Sequence, residues 1–196
     1  MSIEDKEKWD RKHIEAPIPT QPIELVTSFA KLAPGKEALD IACGMGRHTK
    51  YLASEGFHVD ALDISSTAIE SLQGIENISP KEVDFDSYRL EENKYDLIVC
   101  TYFLDRRLFP QIEKALKPGG IFIYETFMYH PDNDRSTSNR TFLLEEGELE
   151  ATFDDRYEIM HIKEEWTTDY TGAKTMIGQL VAKKKAGGMT IDDFWS

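Results

Sequence analysis

The chain has 196 residues, 40% hydrophobic and 11% aromatic, enough for one domain with a sizeable buried core. Its 23 lysines and arginines face 36 acidic residues, a net charge of −13 that argues against nucleic acid or anionic lipid as the main partner. The two cysteines, Cys43 and Cys100, form no CxxC pair, so no metal site or disulfide framework is expected.

The N-terminus has mixed charge and no apolar signal core, and the longest apolar runs, such as Ile121 to Tyr124, are too short to span a bilayer. A cytoplasmic protein is therefore expected. Residues 3–13 read as a short polar helix carrying Trp9, with Ser2 and Asp5 offering a capping box. Three prolines within 15–22 make a stiff linker, and residues 1–22 together suggest a lid. Pro22 suits the first turn of a helix whose apolar face is Val26, Phe29, Ala30 and Ala33, stopped by Pro34–Gly35.

Strand and helix patterns then alternate through the main domain, expected over residues 23–185. Strands are indicated at 37–42, 57–62, 80–84, 95–101 and 121–127, and helices at 46–55, 66–73 and 105–116. Lys117–Gly120 ("KPGG") ends the last of these helices. This order with short connections implies a parallel sheet covered on both faces. After the polar stretch 130–140 comes a short helix near 145–152. Two strand-like runs, "YEIMHIKEEW" and "TMIGQLVAKKK", follow as an antiparallel hairpin, and residues 186–196 read as a loosely ordered tail.

The stretch "ALDIACGMGRHTKYL" (38–52) hands a strand to a helix through Gly44 and Gly46. A turn of this kind lets a ligand touch the backbone at a helix N-terminus. The dinucleotide fingerprint needs a third small residue where this chain has Thr49. Asp63 ends the second strand nineteen residues after Gly44, where a carboxylate accepts hydrogen bonds from a ribose diol. That contact specifies a nucleoside without saying which one. Capping of the helix near Ser66 is the competing role for Asp63.

The ordered set "LDIACGMGRH", "VDALDIS", "YDLIVC" and "LKPGG" resembles the motifs of class I S-adenosylmethionine (SAM)-dependent methyltransferases over roughly Trp9 to Phe127. "GRH" and "YFLDRRLFPQI…LKPGGIFIYETF" resemble a small bacterial branch that includes tellurite-resistance-type enzymes. The resemblance implies a Rossmann-like, doubly wound sheet of seven strands, mostly parallel with an antiparallel last strand, in the order 3-2-1-4-5-7-6. It also implies SAM as cofactor, held by Asp40, Ala42, Cys43, Gly44, Gly46, Asp63, Ile64, Asp84, Phe85 and Thr101. In the family the turn at 42–46 faces the methionine part, Asp63 the ribose, Ile64 the adenine, and Asp84–Phe85 the adenine amino edge; Asp86 competes with Asp84.

On the acceptor side, Arg106, His130 and Arg140 are the candidate catalytic residues, with Arg107 and Arg135 as weaker ones. Methyl transfer from a sulfonium needs alignment and exclusion of water more than a dedicated nucleophile. The place after strand four reads "TYFL" rather than the N/D-P-P-Y/F of enzymes that methylate base amines or glutamine amides. A small-molecule acceptor is expected, a chalcogen oxyanion of the tellurite or selenite kind first, a thiol or small metabolite next. A monomer or homodimer is expected. An NAD-linked oxidoreductase and a catalytically silent SAM-binding protein are the competing functions.

Overall fold

The computed structural model describes residues 3–15, 19–134 and 139–186. Ser2 of the expected capping box, Arg135 and most of the expected tail lie outside the described residues. Seven strands form one sheet: β1 (Glu37–Ile41), β2 (His58–Asp63), β3 (Ile78–Glu82), β4 (Tyr95–Thr101), β5 (Leu116–Phe127), β6 (Tyr157–Thr168) and β7 (Lys174–Lys184). Their order is β3-β2-β1-β4-β5-β7-β6, as the resemblance implied. The first five strands run parallel, while β7 is antiparallel to both β5 and β6.

Alternation along the strands assigns the two faces. Ala38, Val59, Leu97, Val99, Ile121, Ile123 and Val181 pack under α2 (Glu24–Phe29) and α3 (Arg47–Ser54). Leu39, Ile41, Ile98, Phe122, Tyr124 and Leu180 pack on the opposite face, under α5 (Phe109–Ala115) and α6 (Glu148–Thr152). The central β4 has six buried residues in succession, Tyr95 to Cys100, which a strand covered on both faces requires. The remaining helices are α1 (Ile3–Glu15) and α4 (Ser66–Glu70), and α1 packs on α4.

Several boundaries differ from the sequence reading: β3 lies two residues before the expected 80–84, and α4 ends at Glu70 rather than at 73. The helix expected over 105–116 is a one-turn 3₁₀ segment, Arg106–Leu108, followed by α5. Lys117–Gly120 is not a loop but part of β5: Leu116 pairs with Tyr95 and Ile121 with Leu97, so the segment between them bulges from the ladder. Pro118 can sit there because a bulge asks no ladder hydrogen bond of it. Gly120 is needed because a Cβ would lie 2.9 Å from the Lys117 carbonyl oxygen and 3.1 Å from that of Tyr95. The same residues that stop a helix also build a bulge, and only the pairing partner separates the two.

Candidate functional site

In an open parallel sheet the crevice beyond the carboxyl ends of the strands, where strand order reverses, receives ligands. Here that point lies between β1 and β4. The turn 42–46 crosses it with three left-handed residues, Ala42 (φ 54), Gly44 (φ 53) and Gly46 (φ 77). The two glycines have different tasks. A Cβ on Gly46 would fall 2.5 Å from Leu72 Cδ2, so this glycine lets the turn pack against the residue just beyond α4. A Cβ on Gly44 would meet only His13 Nε2, at 3.5 Å, so Gly44 opens onto the crevice. Gly46 is also the N-cap of α3, and no side chain caps that helix.

Asp63 ends β2 with 7% of its surface exposed. Its Oδ2 accepts from the Gly44 amide and its Oδ1 from the Ser65 amide, both at 2.8 Å. It does not cap α4; Ser65 does, its hydroxyl accepting from the Ala68 amide. A carboxylate has about four acceptor positions, so each Asp63 oxygen keeps a lone pair for a further donor. Burial is the largest effect on its pKa and raises it, while the Ser65, Gly44 and Ile64 amides and the nearby His13 pull the other way.

Asp40 lies beneath the turn, 1% exposed, accepting from the Thr49 hydroxyl at 2.6 Å. Burial, opposed by Thr49 and assisted by the charge of Asp63, pushes its pKa up to about 7. Thr49, which broke the dinucleotide pattern, thus ties α3 to β1. Thr101, at the end of β4, faces His48 Nδ1 across 3.4 Å. His48 Nε2 accepts from the Ile23 amide, so Nδ1 carries the ring proton; burial drops its pKa to about 3 and keeps it neutral. Cys43 is buried, and burial raises its thiol pKa.

Ile64 is buried beside Asp63, and Val83 donates its amide to the Asp63 carbonyl. β3 stops at Glu82, so Asp84 and Phe85 stand just beyond the strand rather than at its end. Asp84 accepts from the Asp86 amide, and Phe85 packs on Phe103 with ring centroids 5.6 Å apart. Ile64 and Phe85 are thus buried apolar residues that adjoin the carboxylates Asp63 and Asp84 in the chain.

Helix α1 lies against this crevice. Asp10 accepts from the Ser65 hydroxyl (2.6 Å), the Thr67 amide (3.1 Å) and the Ser66 hydroxyl (3.3 Å). Ser65 therefore accepts from His13 Nδ1 at 3.0 Å, which leaves His13 Nε2 as the acceptor on the side of Gly44. Burial lowers the His13 pKa. Trp9 lies tilted beside His13 with ring centroids 6.0 Å apart, and Lys6 pairs with Glu82.

The acceptor-side residues are spread out. Arg106 makes a bidentate pair with Glu148 (2.6 and 2.8 Å) and donates to the Thr141 and Leu143 carbonyls, so its fork holds α6 and the 141–143 segment. Arg140 pairs with Glu145 at 2.9 Å and lies 3.7 Å over the Tyr129 ring. His130 accepts the Asp132 amide and meets Trp166 edge-on at 4.7 Å. Arg107 pairs with Asp105 and Asp86. Among the described residues Arg47, next to the glycine turn, has no carboxylate within ion-pair distance; its guanidinium lies 5.4 Å from the Tyr102 ring centroid. The sequence reading assigns no individual role to Arg47, Tyr102, Asp10 or His13. The "GRH" after the glycine pair was the available signal for Arg47.

Residues 38–120 match the family model of a methyltransferase domain. The chain is 33% identical over 110 residues to phosphoethanolamine N-methyltransferase 2 of Caenorhabditis elegans, covering 50% of this chain and 25% of that protein. It is 34% identical over 100 residues to the probable SAM-dependent methyltransferase TehB of Haemophilus influenzae, covering 47% of this chain and 35% of that one. The crystal structure of TehB from Haemophilus influenzae superposes with a TM-score of 0.69 at 25% identity, over 92% of this chain and 67% of that chain. The chain thus spans only a quarter to a third of the length of these curated relatives.

Proposed function

We propose that this chain, which carries a class I SAM-dependent methyltransferase domain, transfers a methyl group from SAM to a small-molecule acceptor. The observation that carries the reading is the crevice built by the 42–46 turn and Asp63. The cofactor, when bound, supplies a methyl group already activated on a sulfonium. The remaining work falls to the chain's own residues.

The spare lone pairs of Asp63 suit a ribose diol, and the open side of Gly44 suits the methionine portion. Ile64 and Phe85 offer an apolar wall for the adenine, with Asp84 at its amino edge. Asp40 supports the turn from below through Thr49. Helix α1, pinned by Asp10 to the start of α4, serves as a lid that keeps water from the crevice. A lid matters because the displacement tolerates no competing nucleophile and gains from a dry site.

For the acceptor, a chalcogen oxyanion of the tellurite kind remains the first reading, carried by the resemblance of "GRH" and "YFLDRRLFPQI…LKPGGIFIYETF" to tellurite-resistance-type enzymes. Arg47 is the cation best placed for an anion, since Arg106 and Arg140 are each taken by a glutamate. A thiol or small metabolite is the second reading, favoured by the tyrosine–carboxylate pair described below. Calorimetric titration with SAM, S-adenosylhomocysteine and NAD, followed by transfer of labelled methyl to tellurite, selenite and thiols, tests the proposal. Binding of both sulfur nucleosides and not NAD, with label in one acceptor, is expected; tight NAD binding without SAM binding overturns it.

A further inference from the structure

A row of polar side chains crosses the carboxyl edge of the sheet. Thr101 on β4 is in register with Glu125 on β5, and Glu125 with Gln179 on β7. Glu125 is 4% exposed. Its Oε1 accepts from the Tyr102 phenol at 2.5 Å and its Oε2 from the Gln179 amide at 2.7 Å. Since the Gln179 nitrogen serves the carboxylate, its carbonyl faces His161, whose Nε2 donates to it across 3.0 Å. Among the described residues no lysine or arginine comes within ion-pair distance of Glu125. A carboxylate buried without a cation beside it costs stability, and its two hydrogen bonds offset only part of that cost.

Tyr102 holds a left-handed backbone, φ 55, which is rare for an aromatic residue and common at functional sites. That conformation lets the residue after β4 place its phenol on Glu125. The ring packs tilted against Phe127, centroids 4.8 Å apart, and Arg47 lies near it from the side of the glycine turn. The phenol thus meets the buried carboxylate on one side, and its ring meets the arginine next to the glycine turn. Burial and the charge of Glu125 raise its pKa, against the pull of Arg47. A phenol in that setting does not ionise alone near neutral pH; it takes up a proton only while handing its own to Glu125.

We propose that Tyr102 is a catalytic residue of the methyl transfer, receiving the acceptor's proton as its own proton moves to Glu125. The acceptor class follows: a thiol, a hydroxyl or a protonated oxyanion, each of which must lose a proton on methylation. This assignment rests on the methyltransferase reading above. In the step, a lone pair of the acceptor forms the bond to the methyl carbon, and the carbon–sulfur pair leaves with sulfur. The acceptor's proton goes to the Tyr102 oxygen and the phenolic proton to Glu125. After product release the two protons move back and the surplus one passes to water. Glu125 takes the phenolic proton without touching the acceptor or the methyl group, and Gln179 is a positioning residue that holds the carboxylate.

The test compares two probes, dithiothreitol, whose thiol carries a proton, and iodide, which has none. Tyr102→Phe keeps the ring and loses the hydroxyl. It is expected to lower kcat for labelled methyl transfer to dithiothreitol by about 100-fold, at least about tenfold more than for iodide. Calorimetric affinity for SAM is expected to stay unchanged. Glu125→Gln is expected to reproduce the selective loss. Equal losses on both probes, or none on the thiol, overturn the assignment, whereas wild-type protein that fails to bind SAM overturns the reading beneath it. A cofactor-free readout is the alkaline absorbance titration of the eight tyrosines. Glu125→Gln should bring one of them to a lower pH by removing the adjacent charge; superimposable curves contradict the pairing.

Discussion

Asp96 and Asp63 are both buried carboxylates, 6% and 7% exposed, at opposite ends of the sheet. Asp96 opens β4 at the amino end, accepting from the Glu37 amide at 3.0 Å and from the Lys117 ammonium at 3.1 Å. The chain even omits a Cβ at Gly35, since one would sit 2.5 Å from an Asp96 oxygen. Asp63 has two amides and, among the described residues, no lysine or arginine in ion-pair distance. Asp40 and Glu125, at the same carboxyl edge, share that lack. One end of the sheet neutralises its buried charge, which is what stability requires. The other end leaves charge and lone pairs uncommitted, which is what a ligand requires.

The comparison can be tested from the largest effect downward. Gly46→Ala forces a left-handed alanine and a methyl against Leu72. It should cost about 3 kcal/mol in denaturant unfolding, summed from the backbone and overpacking penalties, and abolish SAM binding with the turn. Gly56 has φ +83 and nothing within 4 Å of a Cβ, so Gly56→Ala should cost only the backbone part, about 1 kcal/mol.

Asp40 sharpens the contrast through pH. Its folded pKa of about 7 lies above the ordinary carboxylate value, so between about pH 4 and pH 7 the folded state holds a proton that the unfolded chain does not. Stability should therefore fall as pH rises through that window, by up to about 1.4 kcal/mol per unit, and level off above it. Asp40→Asn should flatten that slope, as followed by urea unfolding at several pH values.

Asp96→Ala leaves the Glu37 amide and Lys117 without their acceptor. A loss of about 1–2 kcal/mol in unfolding free energy is expected, with SAM affinity unaltered in calorimetry. The smallest effect is expected from Arg106→Ala. Its side chain is 43% exposed, so solvent screens its pair with Glu148 and less than about 1 kcal/mol of stability should be lost. A rise in KM for an anionic acceptor without that loss would return Arg106 to the acceptor site.

The parallel strands were legible because alternation and apolar runs report burial directly, and the terminal hairpin because turn residues separate two strand-like runs. The bulge at Lys117–Gly120 was not, since proline and glycine serve a helix stop equally well. Asp63 was legible from its place at a strand end. The partner of Arg106 was not legible, because Glu148 lies 42 residues further on and local sequence carries no trace of such a pairing. The pairing of Tyr102 with Glu125 was not legible for a similar reason. A left-handed backbone leaves a sequence signal when glycine adopts it and none when tyrosine does.

The central claim is that the carboxyl edge of the sheet, through the open side of Gly44 and the free lone pairs of Asp63, grips a sulfonium nucleoside. Calorimetric titration of SAM into wild-type protein and Asp63→Ala measures it most directly. The account predicts one site per chain in the wild type and affinity weaker by about 1–3 kcal/mol in the variant, the loss for hydrogen bonds to a charged acceptor. Equal affinity in the two proteins, with both folded, would contradict it.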